Sequence, residues 1–172
     1  MEKEENELSF VFPGPDSFLK ISRQVTESYR AAYRGLMTEV YLKSMPDDYW
    51  VGKLNDSFSR GDICMTVEKD GHIVGTAVFG EARTYLRKNT AELYAIYLSP
   101  DYVGCGIGHR LYCEIERLMK EQGYRQCVLE VLTGNRRAVE FYVSHGFKSR
   151  GVFVVEENGM MLPCCSMEKA IV

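Results

Sequence analysis

The chain has 172 residues but no apolar run near the 18 or so that a membrane helix needs. It also lacks any dense cluster of lysine and arginine. With a net charge of −3, it has none of the basic footprint that nucleic acid requires, so neither membrane nor nucleic acid is an expected partner. Its first residues, Met-Glu-Lys-Glu-Glu-Asn-Glu, are acidic where a secretory leader is basic and then apolar, so a cytoplasmic address is expected. The six cysteines form no C-x-x-C pair and no zinc-spaced cluster with histidine, and no metal is expected. Cys164-Cys165 is vicinal, a poor geometry for a structural disulfide, so reduced and mostly core thiols follow. A nucleotide P-loop is missing too: nothing after Gly104 supplies the Lys-Ser/Thr pair.

What the chain does have is average for a soluble globule, 45% hydrophobic and 26% charged residues. Residues 1–7 read as a solvated tail and 8–172 as one domain. Leu8 to Phe12 suits a short strand. Asp16 is placed to cap a helix carrying Phe18, Ile21, Val25 and Tyr29 at three- and four-residue steps. A second helical region spans about 38–58, with Pro46 suited to the first turn of a new helix. Two strands flank Asp70-Gly71, a type I′ turn pair, before a polar connection over 80–90. Ala91 to Leu98 reads as a strand, the segment from Leu111 to Met119 as a helix, Cys127 to Leu132 as a buried strand and Asn135 to His145 as a helix. A last hairpin turns at Asn158-Gly159.

The most informative stretch is the one that joins the Ala91–Leu98 strand to the helix after it. Gly104, Gly106 and Gly108 alternate there, directly before the helix. The first turn of a helix has main-chain N–H groups without intrahelical partners, and the peptide dipoles add partial positive charge. Glycines clear the side chains that would keep a phosphate away, so this junction can hold a diphosphate. A dinucleotide fingerprint needs its third glycine one place later, which leaves that reading weak.

This loop resembles the [Q/R]-x-x-G-x-[G/A] coenzyme A loop of the GNAT superfamily of acyl-CoA N-acyltransferases, with Gly106 and Gly108 at the small positions. Further on, Asn135, Ala138, Phe141, Tyr142, Gly146 and Phe147 are similar to that family's N-x-x-A-x-x-[FL]-Y-x-x-x-G-F segment. The resemblance implies a GNAT fold of the α/β (α+β) class: a mixed, mostly antiparallel sheet of six to seven strands flanked by about four helices. It also implies acetyl-CoA as cofactor, a small-molecule or peptide amine as acceptor, direct attack of the amine in a ternary complex, and compatibility with a homodimer. The rival reading from another class is a coenzyme A-binding regulatory module without turnover.

The resemblance assigns cofactor contacts to Ile96, Tyr97, Leu98, Val103, Gly104, Cys105, Gly106, Ile107, Gly108, His109, Asn135 and Ala138. Val103 departs from the family's Gln or Arg, so main-chain amides carry most of the phosphate binding, with His109 and Arg110 adding charge at the helix start. Cys105 sits where a thiolate would be stabilised. Tyr142 matches the position whose phenol protonates the departing thiolate; the alternative is a ring that only packs. Asn135 is read as a contact to the pantetheine arm, as a helix N-cap, or as both. A main-chain N–H between Ala95 and Leu98 is expected to meet the oxyanion where that strand bulges away from Cys127–Leu132.

Glu92, taken to share a strand face with Tyr94 and Ile96, is the candidate base, against a solvent-facing carboxylate. Glu81 is second choice. Tyr29 and Tyr33 fall where the family walls its acceptor pocket, although tyrosines at helical spacing also build cores.

Overall fold

Phe18, Ile21, Val25 and Tyr29 form the buried stripe of α1 (Phe18–Ala32), as their spacing demands. The computed structural model describes residues 8–83 and 88–172. The expected tail at 1–7 therefore lies outside the described residues, as do positions 84–87 of the polar connection.

Around α1 the described chain runs β1 (Ser9–Val11), α1, α2 (Glu39–Ser44), α3 (Val51–Arg60), β2 (Ile63–Lys69), β3 (His72–Glu81) and β4 (Thr90–Leu98). It continues through α4 (Ile107–Glu121), β5 (Gln126–Leu132), α5 (Arg136–Ser144), β6 (Lys148–Glu157) and β7 (Met160–Ala170). The seven strands make one sheet in the order β1-β2-β3-β4-β5-β7-β6. Every pairing is antiparallel except β4 with β5.

Local chemistry explains most boundaries. Asp70 and Gly71 have φ of 52° and 75°, and Asn158 and Gly159 have 49° and 77°. Both hairpins thus turn with two positive-φ residues, as type I′ geometry requires. Two expectations need correction. Asp16 caps no helix: it lies inside a 3-10 turn, Pro15–Ser17, that leads into α1. Pro46 opens no helix: α2 has already ended, and the Pro46 carbonyl accepts the Tyr49 N–H in a turn before α3 begins at Val51. The second helical region thus divides in two, giving five α-helices among the described residues where about four were expected.

Helices cover both faces of the sheet. On one face Ile107, Leu111, Ile115 and Met119 of α4 pack against Phe79, Leu93 and Leu129 of the strands. On the other, Phe18, Ile21 and Val25 of α1 meet Leu54 and Val78. A buried polar latch ties α1 to the sheet: Thr76 Oγ1 donates to Gln24 Oε1 (2.7 Å), while Gln24 Nε2 donates to Ser28 Oγ (2.9 Å) and to the Tyr97 carbonyl (3.3 Å). A satisfied buried network of this kind fixes one arrangement, because any slip strands a polar group.

The sheet tolerates no side chain at Gly80. A Cβ there would lie 2.1 Å from Asp62 Oδ1, and that carboxylate is held by Ser57, Arg60 and Arg83. Gly80→Ala is expected to destabilise the fold by about 1–3 kcal/mol, the usual cost of overpacking, as read from urea unfolding midpoints.

Candidate active site

β4 and β5 begin as neighbours and then part. Their parallel ladder holds only Thr90, Ala91 and Glu92 against Gln126, Cys127 and Val128, while β4 goes on pairing with β3, and β5 with β7. A bulge helps to separate them. Phe79 pairs with Leu93 and Val78 with Ala95, so Tyr94 is the extra residue on β4.

The bulge reverses which side chains face which way. Ala91, Leu93, Ile96 and Leu98 join the core under α4, whereas Tyr94, Ala95 and Tyr97 pack toward α1. Glu92 therefore shares its face with Tyr94 and Tyr97, not with Ile96 as the unbroken alternation suggested.

The main chain alternates as well. The Ser99 N–H bonds the Val74 carbonyl, so two residues back Tyr97 also turns its main-chain groups to β3, and Ile96 and Leu98 turn theirs toward β5. Past Glu92 no ladder to β5 takes them up, and they face a cleft of about 740 Å³.

The glycine junction stands at the mouth of this cleft. Gly104 and Gly106 have φ of 85° and 80°, and Gly106 is the residue from which α4 starts. Gly108 lies in the first turn, where a Cβ would come within 3.1 Å of Leu98 Cδ1, so glycine lets α4 press onto β4. Val103, Gly104, Gly106, Gly108 and His109 line the cleft. Cys105 is exposed beside them and Ile107 is buried in the core.

Across from the loop, Asn135 caps α5 by accepting the Ala138 N–H (3.3 Å) and also lines the cleft with Ala138. The N-cap reading is thus met, and the side chain also borders the cleft. Tyr142 lies on the cleft with its ring between Phe141 and Phe147. Among the described residues its hydroxyl has no hydrogen-bond partner. Burial first, then the neighbouring Tyr33, raises its pKa well above the ordinary phenol value. The phenol is therefore protonated across the neutral range.

Tyr33 reaches the cleft, its hydroxyl 3.4 Å from that of Tyr97. Tyr29 does not line it; it is buried behind, close to Glu157, to which Tyr41 also donates. The two tyrosines thus divide between pocket wall and core. Glu92 is half-buried at the foot of the opening, its pKa raised chiefly by desolvation, with a weak hydrogen bond from the Arg83 N–H (3.4 Å). Neither Glu92 nor Glu81 is among the residues lining the cleft.

Among the cleft residues outside the sequence expectation, an acid, an arginine and a histidine stand out. Glu130 is an exposed carboxylate within an otherwise apolar strand, on the same face as Glu92 and close enough to raise its pKa. Its signal was that lone charge in Cys-Val-Leu-Glu-Val-Leu. Arg137 reaches over the loop, its Nη2 3.4 Å from where a Gly104 Cβ would sit. It places at the loop the cation that Val103 lacks, while Arg110 stacks over Phe10 instead. His145, on the turn after α5, meets His109 at 2.9 Å.

A glycine-lined helix start thus stands at the mouth of a wedge between two parallel strands, an arrangement able to hold a phosphate group on main-chain donors. The chain belongs to the acetyltransferase (GNAT) family, whose profile matches residues 23–147. It is 29% identical to a spermidine N(1)-acetyltransferase of Thermoplasma acidophilum over 134 residues, 77% of this chain and 81% of that one. The PaiA N-acetyltransferase of the same organism, solved in complex with coenzyme A, superposes with a TM-score of 0.72 at 25% identity, covering 95% of this chain and 99% of that one. An N-acetyltransferase from Staphylococcus aureus Mu50 shares the fold, with a TM-score of 0.75 at 19% identity over 96% and 99% of the two chains.

The chain is accordingly an N-acetyltransferase, and the module without turnover is set aside. Acetyl-CoA is the cofactor of the family. Among the described residues no helix is long and apolar enough to cross a membrane.

Proposed function

We propose that this enzyme transfers the acetyl group of acetyl-CoA to a primary amine by direct attack in a ternary complex. The observation that carries the proposal is the wedge between β4 and β5, with the glycine loop at its mouth and the Tyr142 phenol on its wall. The main-chain donors from Gly104 to Gly108, with Arg137 above them, hold the diphosphate. Ile96 and Leu98 offer main-chain groups to the pantetheine amides as a neighbouring strand would, and Asn135 and Ala138 border the arm. The Ile96 N–H stabilises negative charge developing on the carbonyl oxygen, and Tyr142 hands a proton to the sulfur.

The acceptor approaches from the α1 side, between Tyr33, Tyr97 and the carboxylates. Glu130 holds the amine as its ammonium, and Glu92 takes a proton from it through water, a task that its raised pKa suits. Phenol rings beside carboxylates favour a cationic, flexible amine over a neutral one, and a polyamine fits that description. The experiment is thiol release from acetyl-CoA across a panel of polyamines, amino acids, aminoglycosides and peptides. Turnover with none of them overturns the reading. Glu130→Gln is expected to raise the KM for the amine about tenfold, since a hydrogen bond to a charged group is worth about 1.5–3 kcal/mol. The KM for acetyl-CoA is expected to stay within about twofold, measured in the same assay.

A further inference from the structure

Beyond the family motifs, the cleft carries a pair of histidines from two different elements, and their hydrogen bonds fix their tautomers. His145 Nδ1 is 2.7 Å from the Phe141 carbonyl. A carbonyl only accepts, so Nδ1 carries the proton and neutral His145 presents a bare Nε2. His109 Nδ1 lies 2.9 Å from that Nε2, so it must be the donor. His109 Nε2 is then bare as well, with the Cys113 thiol 3.6 Å away as its only partner among the described residues. The pair is one N–H short of full protonation on the His109 side, and both rings line the cleft that holds the glycine loop.

We propose that His109 and His145 form a proton-linked clamp for the coenzyme's diphosphate: the pair takes up one proton from solvent, at His109 Nε2, when the anion binds at the start of α4. This rests on the coenzyme A reading of the cleft.

The capacity is one proton for a geometric reason. Adding it at His109 Nε2 leaves the Nδ1–H···Nε2 bond between the rings intact. A second would have to enter at His145 Nε2 and set two N–H groups face to face.

The surroundings disfavour positive charge at His145 in the free protein. His109 stands in the first turn of α4, where the helix's own partial charge is positive. Desolvation, then His109 and Lys169, push the His145 pKa below the ordinary histidine value, while the Phe141 carbonyl and Glu116 oppose them. Lys169 of β7 is ion-paired with Glu116 of α4, so these two largely cancel. Arg117 and Lys120, on the outer side of α4, are tied to Glu114, Glu121 and Glu116. Tyr112 packs its ring on His145 and brings no charge, and Arg137 of α5 adds a further positive charge at the loop. A diphosphate at the helix start reverses this balance and favours the imidazolium. Protonation favours binding, so affinity is highest at low pH and falls as pH rises through the pKa of the loaded pair. Each unit by which the anion raises that pKa is worth about tenfold in affinity between the two limits.

The test is calorimetry of the full chain with dephospho-coenzyme A. This probe has no phosphomonoester to titrate near neutrality, so its proton count reports the protein. Titrations over about pH 6 to 8, in buffers of differing ionisation enthalpy, are expected to show uptake approaching one proton. His109→Gln is expected to bind with that uptake abolished. Nitrogen-detected NMR of the unmodified protein is an independent arm: His145 protonated at Nδ1 in the free state, and a new proton at His109 Nε2 in the complex. Binding without net uptake, or a free-state His145 protonated at Nε2, overturns the clamp and leaves the coenzyme reading standing. No binding of dephospho-coenzyme A or of coenzyme A overturns both.

Discussion

Phenylalanine at position 142 lowers kcat about 100-fold or more, the loss that follows removal of a positioned general acid, while the KM for acetyl-CoA changes little. The ring of Tyr142 is held between Phe141 and Phe147 and stays in place in the variant. Only the hydroxyl is lost, and it has no structural partner among the described residues. Stability should therefore remain near that of the parent, which separates a chemical role from packing. The pH profile adds a second check. Burial holds the phenol's pKa far above its ordinary value, so the proton needed by the leaving group is present throughout the neutral and mildly alkaline range. The parent enzyme should show no alkaline decline in kcat below about pH 10, the ordinary phenol pKa, and Tyr142→Phe should leave the shape of the curve unchanged. A variant retaining most of the parent kcat would remove Tyr142 from the chemistry.

Valine at position 106 weakens coenzyme A binding up to about thirtyfold. Gly106 has φ of 80°, and a left-handed conformation costs an L-residue roughly 1–2 kcal/mol, most when it is β-branched. The loop either bears that cost when it holds the anion or rotates to escape it, and then the first N–H groups of α4 turn from the anion at a loss of up to about 2 kcal/mol. The two are alternatives, so the penalty is up to about 2 kcal/mol, or about thirtyfold in Kd. Nothing lies within 4 Å of where a Cβ would stand, so the penalty is conformational and Gly106→Ala should fall between parent and valine. Calorimetry with coenzyme A measures all three. Equal affinity in the three proteins would mean that the loop's backbone is not what holds the phosphate.

These residues were legible because their signals are local. A helix start with glycines at 104, 106 and 108, a capping Asn135 and the type I′ pairs at 70–71 and 158–159 each announce a backbone conformation within a few residues. The bulge at Tyr94 was foreseen only as a tendency of that strand and not by position, since the extra residue exists only in relation to β3. Glu92 was consequently given the wrong neighbour. Glu130, Arg137 and His145 escaped notice for a related reason. Each becomes part of the cleft through a contact between elements far apart in the chain, and a single sequence has no periodicity that records such a contact.

The bulge has one more consequence, in how this strand can vary. Tyr94 acts as a parity switch: odd positions before it and even positions after it form one wall of the cleft, and the remaining positions form the other. Deleting Tyr94 would restore strict alternation with every other side chain on its present face, and would remove the bulge that helps to part β4 from β5. Substitution can therefore alter one face of the strand without disturbing the other, whereas losing the extra residue takes away the bulge itself.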